Sequence, residues 1–167
     1  MNNTTMKTLT SSDKNYWETP QSLFNMLDEK YHFTLDAAAS DDNHKCDYYF
    51  TEETDGLAQD WGGHTVFCNP PYGSKETGEW TRKCWEEAQK PGTTVVLLIP
   101  ARTDRKSFHE YIYKKDGVTI DFLPGRLAFE LNGEPILNSN GKPQPAPFPS
   151  MLVEFNMNPV CSQEQQR

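Results

Sequence analysis

The sequence predicts an α/β domain built on a mostly parallel β-sheet. Short apolar, β-branched runs alternate with longer amphipathic segments along the chain. Residues 93–99 form one continuous apolar run, as expected for a central strand that is buried on both faces. The predicted strands are followed by Asp36, Asn69, Pro100 and Pro124. Because ligands of parallel sheets bind beyond the carboxyl ends of the strands, these residues should meet at one edge.

The first half of the chain begins with a predicted helix. Thr19 has the side chain of an N-cap and Pro20 the fixed φ of a first helical residue, so we expect a helix from Pro20 to about Tyr31. Its apolar face would consist of Leu23, Phe24 and Leu27. Short strands are predicted over residues 33–37, 48–50 and 65–68.

The second half alternates helices and strands more regularly. A helix is predicted over residues 77–90, before a Pro-Gly pair, and a shorter helix over 105–115. Strands are predicted over 93–99, 118–123 and 150–155. Residues 130–149 are rich in Gly, Pro and Asn, which predicts a loop. A structureless connection of that length is uncommon outside functional segments.

Length and composition indicate one domain without disulfides. At 167 residues the chain can bury a core unaided. Its four Cys residues include no CxxC pair, which favours reduced thiols in a cytoplasm over a metal site or a disulfide framework. We find no apolar leader and no membrane-spanning run. The polar ends predict disordered tails at residues 1–14 and 157–167, around a domain of residues 15–156.

Charge is distributed unevenly along the chain. The net charge of −8 argues mildly against a dedicated nucleic-acid-binding protein, whose domain is usually basic. Ten Lys and Arg residues nevertheless lie between positions 75 and 126, while acids dominate the N-terminal part. A basic face on an acidic protein and a solvated surface of mixed charge both fit this pattern.

The run Asn69-Pro70-Pro71-Tyr72 is the most informative motif. Proline has a fixed φ and no N–H, so two in succession end the preceding strand and hold the backbone carbonyls in set directions. The side-chain oxygen of Asn69, the carbonyl of Pro70 and the ring of Tyr72 would then suit a planar molecule with an amino group. The alternative is a turn that merely ends the strand and buries a tyrosine.

Six further blocks accompany this motif in order over residues 15–156. They are Trp17-Glu18-Thr19-Pro20, Leu35-Asp36-Ala37-Ala38-Ala39, Asp55-Gly56-Leu57, Pro100-Ala101-Arg102-Thr103, Gly125-Arg126-Leu127-Ala128-Phe129 and Pro147-Phe148-Pro149-Ser150. Together the seven blocks resemble the small phage-type Dam DNA adenine methyltransferases, which use S-adenosylmethionine. The resemblance implies a Rossmann-like methyltransferase sheet. Only about 28 residues separate Asp36 from the strand before Asn69, so we expect a compact, trimmed version.

The resemblance also implies a reaction and a set of residues. A methyl group would pass from S-adenosylmethionine to the N6 amine of an adenine that is flipped out of the DNA duplex. The catalytic residues would be Asn69, Pro70, Pro71 and Tyr72. The cofactor would be bound by Trp17, Thr19, Pro20, Asp36, Ala37, Ala38 and Asp55. Structural alternatives stay open: Asp36 as a helix N-cap, Trp17 and Pro20 as a hydrophobic staple, and Asp55 as a turn residue.

The partner that the resemblance implies is double-stranded DNA, with neither metal nor membrane, and a monomer or weak dimer in the cytoplasm of a phage host. DNA modification there would serve protection against restriction or DNA packaging. Phosphates would be bound by Arg102, Arg105, Lys106 and Arg126, for each of which a surface salt bridge is the alternative. The loop over residues 130–149 would contact DNA or close over the site.

Other functions remain open at this point. The acceptor could be the amine of cytosine or a protein glutamine, because the Asn-Pro-Pro-Tyr motif also suits those groups. A catalytically silent module that binds nucleic acid is a third reading, against which the intact motif argues.

Overall fold

The computed structural model describes residues 16–157 and confirms the α/β prediction. The predicted tails therefore lie outside the described residues, apart from Met157. The helices are α1 (Gln21–Tyr31) and α2 (Ser74–Ala88). The strands are β1 (Leu35–Asp36), β2 (Thr65–Cys68), β3 (Thr94–Pro100), β4 (Val118–Phe122), β5 (Glu130–Leu131), β6 (Glu134–Pro135) and β7 (Ser150–Phe155).

Five strands form one mixed sheet in the order β1-β2-β3-β7-β4. The strands β1, β2 and β3 pair in parallel, whereas β7 pairs antiparallel with both β3 and β4. Within this sheet, the expected parallel direction is therefore shared by all strands but β7. Ser150 pairs with Pro100 and Phe122 pairs with Met151, so the chain leaves β4 and enters β7 at the same edge. A connection that starts and ends at one edge makes neighbouring strands antiparallel.

The central strand β3 is buried on both faces, as its continuous apolar run predicts. Val95 and Leu97 pack in a core with α2, whereas Val96 and Leu98 pack in a second core with α1. Because side chains alternate along a strand, these two sets face opposite sides of the sheet. The result is a sheet between two helical layers.

Four predicted elements differ from the structure. Helix α1 begins at Gln21 with Pro20 at the N-cap, so Thr19 is not the cap. Helix α2 begins at Ser74, directly after the Pro-Pro turn, and not at residue 77. The short helix predicted over residues 105–115 is a π-helical turn, Phe108–Ile112. Residues 48–50 form only a single bridge, from Tyr49 to Asp36 at the outer edge of the sheet.

The loop predicted over residues 130–149 is interrupted at its start by regular structure. Strands β5 and β6 form a hairpin there, with Asn132 and Gly133 at its turn. Both turn residues have positive φ, 54° and 77°, as the type I′ turn of a two-residue hairpin requires. The carboxylate of Glu18 accepts hydrogen bonds from both turn N–H groups, at 3.0 and 3.1 Å, and fixes the hairpin beside the start of α1.

Neither a membrane-spanning helix nor a metal-binding group of side chains is found in residues 16–157. None of the described helices is long and apolar enough to cross a membrane. Over the same residues, no group of three or more His, Cys, Asp or Glu is arranged to hold a metal ion.

Candidate active site

The run Asn69-Pro70-Pro71-Tyr72 leaves β2 between two cavities at the carboxyl edge of the sheet. One cavity, of about 940 Å³, is lined by Asn69, Pro70 and Pro71 together with many polar groups; we call it the polar cavity. The other, of about 440 Å³, is lined by Tyr72 and mainly apolar side chains; we call it the apolar cavity. The indole of Trp17 borders both. The motif therefore contributes residues to the walls of both cavities.

The predicted meeting of strand ends at one edge is largely correct. Asp36 and Asn69 line the polar cavity, and Pro100 lines the apolar cavity. Pro124 follows β4 at the same edge but lines neither cavity.

The two prolines leave one carbonyl group available. The hydroxyl of Thr77, in the first turn of α2, donates to the carbonyl of Pro71 at 3.3 Å. Among residues 16–157, no hydrogen bond ends on the carbonyl of Pro70. Because proline cannot donate and its φ is fixed, the Pro70 carbonyl is an acceptor with a set direction beside Asn69.

The side-chain amide of Asn69 is fixed by three partners. Its Nδ2 donates to the main-chain carbonyl of Trp17 and, at 2.9 Å, to Oγ1 of Thr19. Its Oδ1 accepts from the hydroxyl of Tyr72. An amide oxygen has two lone pairs, so Oδ1 can accept one more hydrogen bond. The side-chain oxygen of Asn69 and the carbonyl of Pro70 thus each keep an acceptor position that no described residue fills.

Tyr72 lies with its hydroxyl inward and its ring along the apolar cavity. The hydroxyl also lies 3.2 Å from the carbonyl of Leu98, and burial raises the pKa of the phenol well above its usual range. Its ring meets Phe129 and Phe148 edge-on, at centroid distances of 6.0 and 5.6 Å. These contacts hold the ring in place at the cavity wall.

Asp36 is a buried carboxylic acid at the end of β1. Its oxygens accept from the N–H groups of Lys45, at 2.9 Å, and Ala38, at 3.3 Å. Burial raises the pKa of Asp36 to about 6, although these two hydrogen bonds act in the opposite direction. Both N–H donors come from the loop that follows β1. No helix begins at that point, so Asp36 is not a helix N-cap.

The other residues assigned to the cofactor from sequence divide into two groups. Trp17, Thr19, Ala37, Ala38 and Asp55 all line the polar cavity, whereas Pro20 does not. Asp55 also accepts from the N–H of Leu57, as a turn residue does. Next to it, a Cβ on Gly56 would lie 2.2 Å from the Ala37 carbonyl, so only glycine lets this turn approach the loop after β1.

The two cavities carry opposite charge. The polar cavity is bordered by one basic residue, Lys45, and by eight acidic ones: Glu18, Asp36, Asp41, Asp42, Glu52, Glu53, Asp55 and Glu76. The charged residues of the apolar cavity are Arg102 and Arg105. Arg105 donates to the carbonyl of Ser74 at 3.0 Å, which ties the loop after β3 to the start of α2.

The remaining two basic residues that were assigned to DNA lie elsewhere. Lys106 is exposed and pairs with Glu110 at 3.2 Å, which is the salt-bridge alternative. Arg126 is exposed after β4 and lines neither cavity.

Sequence reasoning missed the walls of the apolar cavity. Ile99, Phe108, Phe148 and Met151 come from three separate parts of the chain. Phe148 and its neighbour Phe129 do occur in blocks that carry the family resemblance. Those blocks were therefore a sequence signal for this wall of the cavity. The role of Thr19 as a partner of Asn69 has no local signal, because fifty positions separate the two residues.

Comparisons with known proteins identify a family for this chain. A family model described as DNA N-6-adenine-methyltransferase (Dam) matches residues 6–160. The chain is 33% identical over 148 residues to the DNA N-6-adenine-methyltransferase of Haemophilus phage HP1, covering 86% of this chain and 80% of that protein. It is 29% identical over 136 residues to the protein of the same name from Escherichia phage T1, covering 72% of this chain. The chain spans only 56% of the length of that phage T1 relative. By the extent of the family match, this chain belongs to the Dam family of DNA N-6-adenine-methyltransferases.

Proposed function

We propose that this chain transfers a methyl group from S-adenosylmethionine to the N6 amine of adenine in double-stranded DNA. The observation that carries the proposal is the position of the Asn69-Pro70-Pro71-Tyr72 turn: Asn69 and Pro70 line the polar cavity, and Tyr72 of the same turn lines the apolar cavity. Family membership and the names of the two phage relatives support the same reaction. We assign the sheet to a compact form of the Rossmann-like methyltransferase fold.

The polar cavity suits the methyl donor. Its volume lies within the range of about 300–1,000 Å³ that is typical of small-molecule sites. Bound S-adenosylmethionine supplies an electrophilic methyl group on a positively charged sulfur. Asp36 would accept from its ammonium group, and the acidic border would favour its positive charges. Ala37 and Ala38 would allow close approach of the backbone, and Asp55 would accept from a ribose hydroxyl.

The apolar cavity suits a flipped base. Adenine is flat, and Tyr72, Trp17 and Phe148 provide aromatic surface for it. Its N6 protons would be bound by the Asn69 side-chain oxygen and the Pro70 carbonyl. These acceptors would favour a pyramidal nitrogen whose lone pair could attack the methyl carbon as the bond from that carbon to sulfur breaks. The methylated amine would then release one proton to solvent. Asn69 holds the amine but is no base, so most of the catalysis would come from placement and electrostatics.

The basic residues of the apolar cavity suit the DNA backbone. Arg102 is exposed at its rim, where a phosphate next to the flipped nucleotide would pass. Arg105 would contribute less directly, since its guanidinium already binds the Ser74 carbonyl.

A labelling experiment tests this function. The purified protein is incubated with unmethylated double-stranded DNA and S-adenosylmethionine that carries a labelled methyl group, and the DNA is then digested to nucleosides. We expect label in N6-methyldeoxyadenosine. Label in N4-methyldeoxycytidine would identify cytosine, not adenine, as the methyl acceptor. Calorimetric binding of the cofactor without transfer to any DNA would favour the silent module instead.

A further inference from the structure

We infer that the segment from Trp17 to Thr19 is a clamp that orients the Asn69 amide and makes asparagine, not aspartate, the productive residue at this position. We call the Trp17 carbonyl and the Thr19 hydroxyl the amide clamp. The inference rests on the proposed function, in which the Asn69 oxygen must face the adenine amine. Thr19 acts in it as a positioning residue, because it contacts Asn69 and not the reacting atoms.

Both protons of the Asn69 amide nitrogen have acceptors in the clamp. One is donated to the Trp17 carbonyl and the other to Oγ1 of Thr19, at 2.9 Å. Thr19 is almost fully buried, so its hydroxyl has little access to water. With Nδ2 held on this side, Oδ1 is left for Tyr72 and the substrate.

The three partners of Asn69 do not discriminate equally between its two orientations. A hydroxyl both donates and accepts, so Thr19 could donate to Oδ1 if the amide were rotated by half a turn. Tyr72 could likewise accept from Nδ2 while donating to the Leu98 carbonyl, 3.2 Å away. The Trp17 carbonyl can only accept, so it is the partner that excludes the rotated amide. Thr19 provides the second acceptor and restrains the amide plane.

The position of the Trp17 carbonyl is itself fixed by neighbouring contacts. The next residue, Glu18, exchanges two main-chain hydrogen bonds with Glu130, at 3.3 and 2.9 Å. The indole of Trp17 packs edge-on against Phe129 and Phe148, at 5.6 and 5.3 Å. The clamp is therefore anchored by the hairpin and by the walls of the apolar cavity.

The clamp gives aspartate at position 69 a specific defect. An ionised carboxylate keeps an acceptor for the adenine amine, but its second oxygen would face the Trp17 carbonyl, where two acceptors repel each other. A protonated carboxyl has an O–H that can donate to that carbonyl, as Nδ2 does. The activity of Asn69→Asp, relative to wild type, should therefore rise as the pH falls.

The test compares Thr19→Val, Thr19→Ser and Asn69→Asp with wild type in DNA methylation at saturating cofactor. We expect Thr19→Val to lower kcat by about tenfold, the size of one net hydrogen bond, with KM for DNA and cofactor affinity unchanged within about twofold. Thr19→Ser keeps the hydroxyl and should restore most of kcat. The matched control is Thr81→Val, since Thr81 is buried, hydrogen-bonded to Thr77 and lines neither cavity.

In the pH experiment, the measured quantity is the DNA methylation activity of Asn69→Asp divided by that of wild type at the same pH. Tyr72 contacts position 69 directly, while Asp36, Glu18 and Glu76 border the same cavity. These groups are common to both proteins, so their influence on activity cancels in the ratio to first order. We expect the ratio to be below about one-tenth at pH 8 and to rise severalfold by pH 6. A ratio near one at pH 8, or one that does not vary with pH, would overturn the inference.

A structural measurement tests the clamp separately from DNA methylation. In ¹⁵N-resolved NMR spectra, both side-chain amide protons of Asn69 should exchange slowly with water in wild type, and at least one should exchange faster in Thr19→Val. If wild type methylates no DNA, the proposed function fails, and the clamp is then judged by this exchange alone. Equal exchange in both proteins, or equal kcat for Thr19→Val and wild type, would show that no clamp operates.

Discussion

The two cavities on either side of Asn69 differ in every property that matters for recognition. The polar cavity is large, acidic and formed mainly by the loops after β1 and before β2. The apolar cavity is smaller, carries two arginines, and is walled by side chains from β3, the π-helical turn and β7. A cationic donor fits the first and a base with its phosphate fits the second. Under the proposed function, donor and acceptor would be bound separately and would meet at the Asn69-Pro70-Pro71-Tyr72 turn.

The largest expected effect comes from the residue at the boundary. Asn69→Ala removes the acceptor for the amine, and we expect kcat to fall by about 10²–10³-fold, as for the loss of one preorganised catalytic hydrogen-bonding group. Cofactor affinity, measured by calorimetry, should change little because Asp36 and the alanine loop remain. Asn25→Ala, on the exposed face of α1, is the matched control. Unchanged turnover in Asn69→Ala would contradict the proposed role of the motif.

A smaller effect is expected from the charge of the apolar cavity. Arg102→Ala should weaken DNA binding by about tenfold and lower the slope of log affinity against log salt by about one, because one phosphate contact is lost. Cofactor affinity should stay the same. Arg126→Ala should have less effect, since that side chain lines neither cavity. Equal losses for both arginines in a salt titration would mean that DNA contacts a wider surface than the cavity rim.

The polar cavity should respond to pH through Asp36. Its pKa is raised to about 6 in the folded protein, so below that pH the carboxyl is neutral and binds an ammonium poorly. Calorimetry should show cofactor affinity falling about tenfold between pH 7 and pH 5, with a flat profile in Asp36→Asn. The same fall in the variant would assign the pH dependence to another group.

The free energy of unfolding should respond to pH in the opposite direction from cofactor affinity, and should rise as the pH falls. A pKa that is higher in the folded than in the unfolded state favours folding when the group is protonated, and this contribution is lost as the pH rises through about 6. The free energy of unfolding of wild type, relative to Asp36→Asn, should therefore increase by up to about 3 kcal/mol as the pH falls from 7 to 4. Urea unfolding at each pH measures this difference.

The two regions also differ in how well the sequence predicts them. The polar cavity is largely local: Asp36 to Ala38 follow one strand, and Asn69 to Pro71 follow the next, so the rule for parallel strands brings them together. The apolar cavity depends on β7, whose antiparallel insertion between β3 and β4 places Met151 and Phe148 beside Pro100. Strand order of this kind is set by long-range pairing, which periodicity does not reveal.

The same limit of sequence-based prediction is seen at single residues. Thr19 is a residue type that favours the N-cap of a helix, yet its hydroxyl binds Asn69 and Pro20 is the N-cap. The long-range contact with Asn69 outweighs the local preference. The Asn132-Gly133 pair is a hairpin signal that was present within residues 130–149 and was hidden by the Gly- and Pro-rich surroundings.

The separation of donor and acceptor is tested most directly by mapping each ligand on the ¹⁵N-labelled protein. S-adenosylmethionine is titrated first, followed by a double-stranded oligonucleotide with a single adenine target. We expect the cofactor to shift backbone signals of residues 36–40 and 55–57, and DNA to shift those of residues 99–108 and 148–151. Cofactor-induced shifts confined to the second set, with none in the first, would contradict the account.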